Sequence, residues 1–414
     1  MIGGAPLANA GPICAFRPKE SHSVSKQLSP EFLLVAACCR WPPSPGRDAS
    51  IRVIAQGPIE WMRVLRIARR QRVEGLLHAG LASASIALPT DFRAELGVLA
   101  RDIAAQSLAS AAQAGRLQSL LHDAGIENMV LKGAAVEVLA YGALGLKRAW
   151  DIDLLVSPDE VERACEVLEL AGYQLVEPVR LTRPQFLTWI DLVKECELVH
   201  RDSGQRVELH WRLVDGPVLL PNMSVSSPSQ LVAITNGICL RTLARDELFS
   251  YLCVHGAMHG WSRLKWLADL AALLTHERPE AIEPLYRRSL GLGAGACSAQ
   301  ALLLCERLLG TALPPSLKDE LMGRAVVRWL FQFALATMTG GGAEVEVRAR
   351  PLAKTQILLA QFALGDGWRH AAAQIRYRSV SVHDRTHLPL PKALHFLYPV
   401  LRVPLWVSRR LRSG

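Results

Sequence analysis

At 414 residues, half of them hydrophobic, the chain has room for two or three domains and a sizeable core. Aromatic residues reach only 6%, and the long Ala/Leu runs favour helices. Lys and Arg outnumber Asp and Glu by 47 to 38, while nine cysteines with no Cys-x-x-Cys pair exclude a disulfide framework and a zinc ribbon and point to a reducing cytoplasm.

Residues 1–28 lack the basic start of a signal peptide and read as a disordered leader. Cys38-Cys39 is expected to pack rather than bridge, since adjacent cysteines close only with strain. The stretch 29–126 carries helical periodicity, with a capped start near Pro58-Ile59-Glu60-Trp61 and a long helix over about residues 90–122.

The segment 127–214 reads as a mixed α/β core. Met129-Val130-Leu131-Lys132 is an apolar strand that breaks at Gly133 into a helix running to about Tyr141. Such a junction gathers backbone N–H groups and a helix N-terminus at one spot, where phosphate binds well. Lys132 and Arg148 flank it and can reach phosphate oxygens. Asp151-Ile152-Asp153-Leu154-Leu155-Val156 is a second strand, whose period of two turns Asp151 and Asp153 to one face and Ile152 and Leu154 to the core. Paired carboxylates repel unless a cation sits between them, so the two form a natural cradle for Mg2+. Ser157-Pro158-Asp159-Glu160 reads as a capping box opening a helix that stops at Gly172. Residues 194–200 and 206–212 are strands joined by Asp202-Ser203-Gly204-Gln205. On the second of them Val207 and Leu209 face one way, Glu208 and His210 the other. If that strand lies beside the acidic one, Glu208 completes a three-acid cluster around two metal ions.

Residues 215–228 are a loop and 229–339 are expected to be helical, ending at Gly340-Gly341-Gly342. His255 and His259 share a helix face but lack the Glu and the third ligand of a zinc protease, which leaves core packing or a rim helix aimed at substrate. Residues 343–414 read as a basic, Pro-punctuated tail with a solvated face. Pro399, Arg402 and Pro404 interrupt its most apolar stretch, which is too short to span a bilayer, although Trp406 beside Arg409, Arg410 and Arg412 suits peripheral membrane contact. Too few aromatics interleave the arginines for a nucleic-acid platform.

Leu131-Lys132-Gly133, Arg148-x-x-Asp151-Ile152-Asp153-Leu154-Leu155-Val156 and Val207-Glu208-Leu209-His210-Trp211 resemble the signature of the uncharacterised nucleotidyltransferase family, within the DNA polymerase β-like superfamily. The resemblance takes in His255-x-x-x-His259-x-Trp261 and Asp269. It runs from about Ser29 to the Pro-rich close at His383-Asp384-Arg385 and Pro389-Leu390-Pro391. It implies an α+β fold, a small mixed-sheet nucleotidyltransferase core flanked by N-terminal and C-terminal helical regions. It further implies Asp151 and Asp153 as the metal-binding pair, Glu208 as the third acid, and two Mg2+ ions. Lys132, Gly133 and Arg148 would meet the phosphates of an NTP such as ATP, and His210, His255 and His259 would stand on the substrate side. The implied reaction moves an NMP to a hydroxyl or other acceptor on a small molecule, peptide or protein, with peptide- or polysaccharide-biosynthesis partners. Where the superfamily carries Gly-Ser or Gly-Gly close before the acids, this chain has Gly133-Ala134 and a longer interval. That departure is the basis of a rival reading as a non-catalytic NTP-binding scaffold; the basic tail gives a second, nucleic-acid-binding rival.

Overall fold

Five strands build one mixed sheet: β1 (Asn128–Val130), β2 (Asp151–Val156), β3 (Tyr173–Glu177), β4 (Glu195–His200) and β5 (Arg206–His210), in spatial order β1-β2-β5-β4-β3. The computed structural model describes residues 28–405 apart from 180, 217, 236, 366 and 403, so the expected leader (all but Leu28) and the Trp406–Arg412 group lie outside the described residues. β2 and β5 run parallel, which needs a long crossover, and the helix Val161–Leu170, β3, the helix Arg183–Leu192 and β4 supply it. The fold is therefore α+β, with a small sheet between helical regions.

Alternation along the strands decides which face is dry. Ile152, Leu154, Val156, Val207 and Leu209 are buried with Ala111, Ala114, Leu117 and Leu121 of the 34-residue helix Thr90–Asp123. The opposite face carries Asp151, Asp153, Glu208 and His210 toward the helices Arg245–Met258 and Leu264–Leu274. Pro30–Cys38 and the other N-terminal helices share one core with these later helices. Cys38 and Cys39 are buried, unbridged thiols, and burial pushes both thiol pKa values up.

Three expectations are corrected. The sequence at Ser157 does not form a capping box: Pro158–Glu160 is a single 3-10 turn held by the Ser157 carbonyl, with no side-chain cap. Residues 229–339 are not helical throughout, because β6 (Ser229–Thr235) and β7 (Ile238–Leu243) form a hairpin first. Val232 and Leu240 are buried in alternation, and Asn236-Gly237 is a strong hairpin signal in the sequence. Gln118 clasps the hairpin to the long helix, donating to the Cys239 carbonyl and accepting from the Arg241 N–H at 2.8 Å. Nor is the C-terminal region a solvated tail, since the helices Ala353–Ala360, Gly367–Ser379 and Val382–His387 fold back onto the body. Gln361 donates to the Met258 carbonyl at 2.7 Å and buried His370 bonds the Gln361 carbonyl at 2.9 Å. Among the described residues no helix is long and apolar enough to cross a membrane.

Candidate active site

Parallel pairing sets Asp153 beside Glu208, and the antiparallel β4 sets Glu195 beside His210. A ligand atom from each of Asp153, Glu208 and His210 lies within 4.8 Å of the other two, the one such group among the described residues. Asp151 stands outside this set but lines the same cleft, a space of about 800 Å³ between the sheet and the helical body. Lys132, Gly133, Ala134, Arg148, His255 and His259 line it as well.

Each charge here has a physical reason. Asp153 is 3% exposed, yet the Lys132 ammonium 2.7 Å away and His210 Nε2 at 3.1 Å hold its carboxyl well below the usual range against the effect of burial. At Asp151, burial together with the charge of Asp153 outweighs Lys132 and Lys265 and pushes it up to about 6. A carboxylate raised by a neighbouring carboxylate gains from a shared cation, and hard oxygen donors suit Mg2+. Asp151, Asp153 and Glu208 thus fit a divalent ion, and Lys132 already puts positive charge on Asp153.

His210 departs from expectation. It is 2% exposed and does not line the cleft, lying instead among Asp153, Glu208 and Glu195. Burial and Lys194 oppose its protonation, but Asp153, Glu208 and Glu195 raise its pKa overall. Its Nδ1 lies 3.0 Å from Glu195 Oε2 without the alignment of a hydrogen bond. Sequence reasoning passed over Glu195, although counting back through the turn after His200 puts it opposite His210.

The strand-to-helix junction turns at Gly133, whose φ of +67° suits glycine and where an added Cβ would meet open space. The helix Ala134–Tyr141 starts there, and its Glu137 anchors the loop leading to β2. Glu137 Oε1 accepts from the Leu146 and Lys147 N–H groups at 2.7 and 2.9 Å, while Oε2 accepts from the Ser107 hydroxyl at 2.7 Å. Lys147 pairs with Asp269, which also accepts from the Tyr141 hydroxyl at 3.0 Å. The long interval before Asp151 is therefore a clamped loop. Arg148 rides on it, donating to Gln106 at 2.9 Å and lying over Trp150, 5.6 Å from the ring centroid.

The far wall carries His255 and His259, with ring centroids 4.8 Å apart, and His259 stacks on Trp266 at 5.1 Å. Burial and Lys132 lower the pKa of both histidines, so they face the cleft as neutral rings at physiological pH. Lys265 beside them is brought down to about 7 by burial and by Lys147 and Arg72. An anion entering here would relieve that crowding.

One comparison with known proteins finds a match: the model of the family described as uncharacterised nucleotidyltransferase aligns with residues 57–310, more than half of the chain. No curated protein and no solved structure matches. The matched span includes every acid of the cleft floor; residues 29–56, His383-Asp384-Arg385 and Pro389-Leu390-Pro391 lie outside it. By this match the chain belongs to the uncharacterised nucleotidyltransferase family and is a nucleotidyltransferase.

Proposed function

We propose, with membership of that family as the premise, that the protein transfers an NMP from an NTP to a hydroxyl acceptor with the help of Mg2+. The observation that carries this reading is the convergence of Asp153, Glu208 and His210 on adjacent parallel strands, with Lys132 paired to Asp153. Asp151, Asp153 and Glu208 would hold the metal, which supplies charge neutralisation for the triphosphate and a lowered pKa for the acceptor hydroxyl. His210, set between Asp153, Glu208 and Glu195, braces the carboxylates from behind. The acceptor oxygen bonds to the α-phosphorus as the bond to the β-phosphate oxygen breaks. Its proton passes to Glu208, and pyrophosphate leaves past Lys132 and Arg148, whose charges follow it. Arg148, carried on the clamped loop into the cleft lining, would add positive charge there in the absence of the turn hydroxyl.

Pyrophosphate release from the purified protein, NTP and Mg2+ tests the proposal; a protein that binds NTP tightly but releases none under any acceptor supply would be a scaffold. Arg148→Ala should weaken binding of a non-hydrolysable NTP about ten- to a hundredfold, the worth of one charge-assisted contact. Calorimetry checks it, and wild-type affinity would leave Arg148 as a partner of Gln106 and Trp150 only.

The Asp151 pKa of about 6 gives a pH signature. A carboxyl raised in the fold resists ionisation, so without a divalent ion its charge costs stability as pH rises from about 4 through 6. Mg2+ relieves that cost only where Asp151 is ionised. The gain in melting temperature on adding Mg2+ is therefore expected to be large at pH 7.5 and to shrink below pH 6. Equal gains at both pH values would remove Asp151 from the metal site.

A further inference from the structure

A second cavity of about 1100 Å³ adjoins the cleft, and Arg212, Arg369, Arg376, Arg378, Arg385 and Arg402 line it against only two acids, Asp191 and Asp215. The two spaces share a wall formed by residues 213–216 with Tyr377 and Arg378. Helix Gly367–Ser379 makes that wall, and an added Cβ at Gly216 would lie 3.2 Å from Gln374 of this helix. We propose that this cavity is the acceptor site and that it takes a small anionic acceptor carrying a phosphate or carboxylate group. The inference rests on the nucleotidyltransfer reading above and names the class of its second substrate.

Charge and position carry it. Arg212 is tied to the Ile190 carbonyl at 2.6 Å and Arg378 to Gln361, so both serve the wall. Arg369, Arg376 and Arg402 are exposed, and no side-chain partner is seen for them among the described residues. Guanidinium groups converging on a concave space recognise phosphate and carboxylate in bidentate fashion. Leu219, Leu220 and Met223 give the cavity an apolar floor, and Trp368, 76% exposed, offers a flat surface at the mouth. That mixture suits a compact organic anion, since small-molecule sites are concave and partly apolar with a few fixed polar groups. The arginines beyond residue 310 lie outside the family match, whereas the acids and Lys132 lie inside it.

Inorganic phosphate is the probe, titrated calorimetrically at low salt into the full chain loaded with Mg2+ and a non-hydrolysable NTP, so that the cleft is filled. Saturable binding is expected, and Arg369→Glu/Arg376→Glu should weaken it at least tenfold while leaving NTP affinity unchanged. Both arginines are exposed and make no core contact, so the variant should fold; a circular dichroism spectrum checks this, and Arg376→Gln serves if it does not. Phosphate binding that is absent, or equal in the variant, overturns the proposal. If NTP fails to bind, the parent reading falls, but loss of phosphate binding in the unloaded variant would still uphold the cavity as an anion site. Vesicles containing phosphatidylglycerol separate the sources of the charge: sedimentation that phosphate reverses assigns a lipid phosphate, and none assigns a soluble anion.

Discussion

Asp153→Asn is expected to lower nucleotidyl transfer by about a thousandfold or more, the scale on which removal of a central electrostatic group acts. The amide keeps the shape of the side chain but not its charge, and it cannot neutralise Lys132 or a divalent ion. The same loss has a cost in stability. Asp153 is buried, with Lys132 at 2.7 Å and His210 at 3.1 Å, so the variant leaves a half-buried ammonium without its counter-charge. A destabilisation of roughly 1–3 kcal/mol follows. The sign with pH is fixed: the carboxyl is depressed in the fold, so its contribution is present above the unfolded pKa of about 4 and is lost as pH falls below it. Melts of wild type and variant should converge in acid. Glu208→Gln separates the two effects, because Glu208 is a third exposed and its loss leaves His210 still facing Asp153 and Glu195. It should lose transfer with little change in melting temperature. Substantial pyrophosphate release by both variants would take the acids out of the chemistry.

Much of this site could be read in the sequence because it rests on alternation along strands. The Asp-x-Asp pair, the Gly133 break and the outward Glu208 each follow from a period of two or from a residue with special backbone freedom. Pairing was harder: nothing local says that β5 lies beside β2 in parallel, and only that register brings Glu208 to Asp153. Glu195 was lost for the same reason, as a residue whose importance lies across a ladder. His210 shares the face of Glu208 by alternation, yet it is buried among Asp153, Glu208 and Glu195. The hairpin Ser229–Leu243 was hidden by reading apolar content as helix and overlooking Asn236-Gly237. Least legible was the C-terminal region, where arginine density and prolines suggested a solvated surface. Its helices instead pack on the body through buried His370, Gln374 and Asp384, while Arg369, Arg376 and Arg402 stay exposed at the cavity they line.

Glu137→Ala and Glu137→Gln should part company. Glu137 is 3% exposed and holds residues 145–147 through two backbone N–H groups, while Ser107 joins it and receives the Gly145 N–H at 3.3 Å. Alanine leaves those donors buried without an acceptor and opens a void, a combination worth roughly 3–5 kcal/mol. The loop that carries Arg148 and Trp150 into β2 would then be free to shift. NTP affinity should fall by an order of magnitude or more even though Glu137 touches no substrate. Glutamine has a different outcome. Its carbonyl oxygen can keep both backbone N–H groups, and its amide can donate to Ser107, whose hydroxyl rotates to suit. Burial first, offset in part by Lys147, leaves the Glu137 carboxyl raised above its ordinary value. A raised carboxyl costs stability as pH climbs from the unfolded pKa through the folded one, and glutamine escapes that cost. The glutamine variant should therefore match or exceed wild type at pH 7.5, with the advantage fading toward pH 4. Thermal melts across pH, with calorimetric NTP binding, read both outcomes. A glutamine variant as damaged as the alanine one would mean that the charge itself, through Lys147 and Asp269, holds the loop rather than the hydrogen-bond geometry.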